Sequence, residues 1–149
     1  MAISDDLHSN YQEIILLPTL TIAGAVSATA TTPVTGLGGM KYLAVEAYFL
    51  YGAGGTTVDA YVQTSLDRGV SWIDIMEFAF TTSALKKVNS VSIFQTSAAP
   101  YAPVTYTDGA LTASTAVPGI LGDRLRVKYV TVGTYTGATS LAIYALAKG

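Results

Sequence analysis

Apolar and polar positions alternate with a period of two along most of this chain, and helical periodicity is nearly absent. That period places successive side chains on opposite faces of an extended strand. In "TVDAYVQTS", Val58, Ala60 and Val62 share one face, and Asp59, Tyr61 and Gln63 share the other. In "RLRVKYVTV", Leu125, Val127, Tyr129 and Thr131 are predicted to point inward and Arg124, Arg126 and Lys128 outward. "KYLAVEAYFLY", residues 41–51, is apolar on both faces and reads as a central strand covered on both sides. "EIILLPTLTIA" is a strand interrupted at Pro18, which argues for a sheet edge or a bend, because proline cannot donate to a ladder. "SWIDIMEFAFTT", "VNSVSIFQT" and "ATSLAIYALAK" complete the set.

Turn signals separate these runs. Gly36, Gly38 and Gly39 break the small-residue stretch "ATATTPVTGLGGM", and "GAGG" closes the strand before residue 57. Residues 81–87, "TTSALKK", read as one helical turn or a loop. Pro100 and Pro103 are followed by Asp108-Gly109, a dipeptide favoured in hairpin turns. "VPGILGD" is a turn-rich connection, and "GTYTG" leads into the last strand. The count is eight to ten short strands, the signature of a sandwich, jelly roll or barrel. The expected fold is an all-β antiparallel β-sandwich, jelly-roll-like, over residues 13–149, with residues 1–12 as an extended N-terminal arm.

Composition sharpens this picture. At 149 residues one domain is expected, with enough chain to bury a core. Charged residues are only 12% of the chain against 50% hydrophobic, a balance that argues against disorder. A surface so poor in charge keeps monomers apart badly, which points to subunit contacts. The net charge of −2 gives no basic surface for nucleic acid. "MAISDDLHSNYQE" has neither the basic start nor the apolar core of a secretory signal, and "IILLPTLTIAGAV" is too short to cross a bilayer of roughly 30 Å. A soluble protein made without a signal is expected.

Candidate chemistry is sparse. The chain has no cysteine and a single histidine, His8, in the presumed arm. A zinc site cannot be assembled from these, and a mobile arm is a poor support for a catalytic base. "GAGGTT" and "GLGGM" lack the Lys-Ser/Thr pair of a phosphate loop. Asp59 and Asp74 are a conceivable carboxylate pair, but as adjacent-strand positions they are expected on a solvated face. Tyr101, Tyr106, Tyr129, Tyr135 and Tyr144 are a conceivable stacking platform for sugars, although tyrosine is also ordinary in strands and interfaces. The stripe Arg124, Arg126 and Lys128 is read as a solvated sheet face, with contact to an acidic partner as the sharper alternative. No catalytic, cofactor or metal residue is expected.

The most patterned stretch is "SLDRGVSW", Ser65 to Trp72. Its Ser-x-Asp-x-Gly-x-x-Trp spelling resembles the Asp-box, the hairpin motif repeated through sialidase propellers. Asp67 is suited to accept backbone N–H bonds, Gly69 to take a positive φ, Ser65 to bond across the neck and Trp72 to pack beneath the turn. A propeller needs several blades, and one box in 149 residues marks a hairpin between two strands rather than a glycosidase.

A wider likeness lies in "VDAYVQTSLDRGVSWIDIMEFAFTT" and "GDRLRVKYVTVGTYTGATSLAIYALAK". Both resemble segments of small virion proteins of tailed bacteriophages. The resemblance implies a non-enzymatic capsid decoration (cement) protein, without cofactor, that binds the major capsid protein. Such proteins form homotrimers on the capsid surface of the virion, assembled in the host cytoplasm. The alternatives are a tail, baseplate or head-fibre component, or a carbohydrate-binding β-sandwich. The arm is expected to extend onto a neighbouring subunit.

Overall fold

The computed structural model of the chain describes residues 11–94 and 103–149, so the arm up to residue 10, His8, Pro100 and Tyr101 lie outside the described residues. The described chain is all-β and antiparallel. Its ten strands are β1 (Tyr11–Thr21), β2 (Thr29–Ala30), β3 (Tyr42–Leu50), β4 (Ala53–Gly54), β5 (Thr57–Thr64), β6 (Ile73–Phe80), β7 (Leu85–Ser92), β8 (Leu125–Val132), β9 (Tyr135–Thr136) and β10 (Ser140–Lys148).

Two four-stranded sheets pack face to face as a sandwich, in the orders β1-β10-β3-β7 and β2-β8-β5-β6, while β4 and β9 form a small ribbon. The pairing is nested: β1 pairs with β10, β2 with β8, β3 with β7 and β5 with β6. The chain therefore behaves as one long hairpin wrapped so that its arms fall into two sheets.

The period-two pattern builds the core. Leu43, Val45, Ala47 and Phe49 of β3 face Val58, Ala60 and Val62 of β5, Phe78 and Phe80 of β6, and Leu125 and Val127 of β8, all buried. Phe49 stacks on Phe80 at 5.0 Å between ring centroids and meets the edge of Tyr135 at 6.1 Å. Tyr135 is fully buried, and its hydroxyl donates to the Thr81 carbonyl at 2.8 Å, so its polar tip is satisfied within the core.

Pro18 lies in β1, an edge strand whose register slips between Ile15 and Leu17 and again between Leu17 and Leu20. The bulges absorb the missing donor, as an edge allows.

Four expectations need correction. Tyr11 and Gln12 belong to β1, so the strand begins before residue 13. Residues 85–87 are strand, and β7 ends at Ser92. Asp108-Gly109 bends the chain but joins no two strands; it lies in a segment, residues 103–117, that folds over the outside of the β2-β8-β5-β6 sheet. Finally, β3 is interior to its sheet, but among the described residues only one of its faces is covered. Tyr42, Ala44, Tyr48 and Leu50 point away from the core into solvent.

Candidate functional site

Three places in the fold carry the chain's distinctive residues: the turn after β5, the outer face of the β2-β8-β5-β6 sheet, and the outer face of the β1-β10-β3-β7 sheet.

The turn takes the form its spelling predicts. Ser65 Oγ donates to Asp67 Oδ1 at 2.8 Å and accepts from the Gly69 N–H at 2.7 Å. Ser71 closes the loop, donating its N–H to Asp67 Oδ1 at 2.8 Å and its hydroxyl to Asp67 Oδ2 at 2.6 Å. The Ser71 hydroxyl and N–H, with Ser65, hold the Asp67 carboxyl down at about 2. Gly69 has φ +89°, and Trp72 is buried beneath the turn. Each of the four residues serves the hairpin.

Behind the turn, the Arg126 guanidinium lies over the Trp72 ring, 4.2 Å from its centroid, and Arg126 Nε donates to Gln63 Oε1 at 2.7 Å. Gln63 is fully buried and uses its amide nitrogen on Asp74 Oδ1 at 2.8 Å and on Asp108 Oδ1 at 2.7 Å. Lys128 Nζ reaches Asp108 Oδ1 at 3.0 Å, and Arg124 pairs with its neighbour Asp123 at 2.9 Å and donates to the Arg68 carbonyl at 2.8 Å. Burial works against ionisation of Asp108, but hydrogen bonds from Gln63 and Lys128 hold its carboxyl below the usual range. The cationic stripe Arg124, Arg126 and Lys128 is thus engaged within the molecule.

Asp74 is not on a solvated face. It is 1% exposed, and Gly109, Ala110 and Leu111 donate consecutive N–H groups to Oδ2 at 2.8, 3.0 and 3.2 Å, joined by the Thr107 hydroxyl at 2.7 Å. The three amides form a small anion-binding nest filled by the protein's own carboxylate. Nor do Asp59 and Asp74 face each other: Asp59 is opposite Ala79, and Asp74 opposite Gln63. A carboxylate so fully occupied by donors has no geometry for proton abstraction from a substrate.

Further along the same strand, Glu77 accepts from the Ser114 N–H, while Thr115 C=O accepts from Glu77 N–H at 2.9 Å and Ile75 C=O from Val117 N–H at 2.9 Å. Residues 107–117 are therefore a flap, fastened along the free edge of β6. An exposed edge of this kind invites pairing with another chain, and the flap covers it. Sequence reasoning missed this network. Gln63 and Glu77 were visible as polar residues inside strands, but nothing in the pattern showed what covers them.

Among the described residues, the tyrosines singled out in the sequence do not converge. Tyr129 and Tyr135 are buried, Tyr106 immediately precedes the flap, and Tyr144 sits on the far sheet.

That far sheet presents the third place. Its outer rows, read across the register, are Ile15, Tyr144, Glu46 and Val88, then Glu13, Leu146, Ala44 and Ser90, then Ala142, Tyr48 and Lys86. Val88 is 70% exposed, Ile15 61% and Tyr48 45%. Glu46 and Lys86 neutralise each other at 3.0 Å. Ala44, Glu46, Val88, Tyr144 and Leu146 border an open depression of about 680 Å³. Among the described residues, no group of three or more metal-binding side chains exists. No protein-family model matches the chain, and a search of curated proteins finds no match.

Proposed function

We propose that this chain is a non-enzymatic structural protein of a phage virion, a capsid decoration protein that binds the major capsid protein shell as a homotrimer. The observation that carries this reading is the nested strand order. With the two-residue β4 and β9 set aside, eight strands pair first with last and inward from there, across two four-stranded sheets. The nesting supports a jelly-roll winding, an architecture that viral capsid domains use. The occupied state of Asp74 and of the Ser65–Trp72 turn supports a structural rather than a catalytic role.

The surface that favours self-association is the outer β1-β10-β3-β7 face. Four strands about 4.8 Å apart and about nine residues long span about 600 Å². Packed on the next copy around a three-fold axis, each contact removes about 1,200 Å² from solvent, above the roughly 1,000 Å² that a specific interface needs. Its central ion pair, Glu46 with Lys86, is already neutralised, which leaves Glu13 of β1 as the carboxylate a second copy meets on this face.

A carbohydrate-binding module is the second reading. The buried Trp72 counts against it, because a sugar platform needs exposed rings; the exposed Tyr48 and Tyr144 of the outer β1-β10-β3-β7 face are the rings it would rest on.

The test is co-sedimentation with shells assembled from a phage major capsid protein. Saturable binding is expected. Absence of binding, with a glycan retained instead on an array, would favour the second reading.

A further inference from the structure

Glu77 is 1% exposed, and its Oε1 has no hydrogen-bond partner among the described residues. Its other oxygen accepts from the Ser114 N–H of the flap. An ionised carboxylate sealed in this way is costly, because burial disfavours charge and an unpaired buried oxygen forfeits its hydration. Asp59 of β5 stands on the same outer face, two residues along the strand from Tyr61, which lies opposite Glu77.

We propose that Glu77 carries a proton in the folded chain, that this proton fastens the flap to the sandwich, and that its loss loosens the flap. Protonated Glu77 brings no charge into the buried site and still accepts from Ser114. Ionised Glu77 faces Asp59 as a like charge and recovers hydration only if residues 112–117 lift from the sheet.

The groups around Glu77 fit this reading. Asp59 and Tyr61 face it from β5, and Asp74 lies on its own strand. Lys87 approaches from β7, but its Nζ is held by the Ala79 carbonyl at 2.6 Å and the Ser114 hydroxyl at 3.2 Å. Burial pushes the Glu77 carboxyl up to about 7; the Ser114 N–H opposes this, Asp59 adds to it and Lys87 opposes it. The folded chain thus keeps a proton that the unfolded chain releases near 4.5. The stabilisation is complete below that value and is lost as pH rises through about 7.

The experiment is amide hydrogen exchange, corrected for intrinsic rates, at about pH 5.5 and 8.5. The Ser114 and Val117 protection factors are expected to fall about tenfold or more at the higher pH. E77Q keeps the Ser114 contact without a titrating proton, since its carbonyl accepts from Ser114. Its protection should be nearly equal at the two pH values. Equal protection in the unmodified chain, or the same loss in E77Q, would overturn the proposal. Should E77Q fail to fold, a direct carbon NMR titration of Glu77 decides the matter: a midpoint near 7 supports the bound proton and one below about 5 overturns it.

Discussion

Arg126 and Trp72 sit face to face, 4.2 Å from guanidinium carbon to ring centroid, and this pair joins the turn after β5 to the polar layer beneath the flap. The Trp72 ring supplies apolar surface and a negative π-face, and the guanidinium supplies planar charge. Because Arg126 also serves Gln63 and lies 3.7 Å from Asp108, the pair is one end of a chain of contacts reaching Asp74 and the flap.

Replacing Arg126 with Ala should therefore cost more than one hydrogen bond. It strands Gln63 Oε1 in a buried site and removes the stacking on Trp72, a loss of about 2–4 kcal/mol. R126K keeps a charge near Asp108 but not the planar stacking or the Nε donor, so it should recover only part of the loss. Urea unfolding checks this: the midpoint should fall with the slope unchanged.

Asp74 is the flap's anchor. D74A leaves the Gly109, Ala110 and Leu111 amides and the Thr107 hydroxyl without their acceptor, while the Gln63 nitrogen keeps only Asp108. A loss of about 3 kcal/mol or more is expected, since each unsatisfied buried group costs roughly 1–3 kcal/mol. Limited proteolysis should then cut first within residues 107–117. Cleavage elsewhere, with the flap intact, would contradict the anchoring role.

The strand alternation, the edge position implied by Pro18 and the Ser65–Trp72 turn were all legible in the sequence, because each depends on local chemistry. The placement of Asp74 was not. β5 and β6 slip register between Val62 and Gln63, so Ile75 is an extra residue in β6, and Asp74 and Glu77 lie under the same flap despite an odd spacing. A bulge breaks the period on which sequence reading relies. The flap was equally hidden, because residues 107–117 bind largely through backbone amides that any sequence carries. In β3, apolar residues on both faces were read as cover on both sides, whereas the described residues cover only one.

The turn makes a pH prediction of its own. The Asp67 carboxyl is lowered from 3.8 to about 2 by Ser71 and Ser65, so its stabilisation is present above about pH 4 and is lost as pH falls through about 2. The melting temperature of the unmodified chain should drop between pH 4 and 2 more steeply than that of D67N, which does not titrate. Parallel curves would contradict the turn role.

Gly122 allows close backbone approach at the foot of that turn. A Cβ there would fall 1.9 Å from the Ser65 carbonyl oxygen, which is backbone and has little room to move. G122A should lower thermal stability markedly even though the position is a connection outside the sheets, and a melting temperature within about 2 °C of the parent would show that the loop yields.

The most direct test of the account is mass by light scattering over a range of concentrations, on the parent chain and on the double variant I15K/V88K. Both residues are exposed on the outer β1-β10-β3-β7 face, so the substitutions leave the core untouched. The account predicts a stable trimer for the parent and a folded monomer for the variant. A parent that stays monomeric at every concentration, or a variant that remains trimeric, would contradict self-association through this face; a parent dimer would contradict its three-fold arrangement.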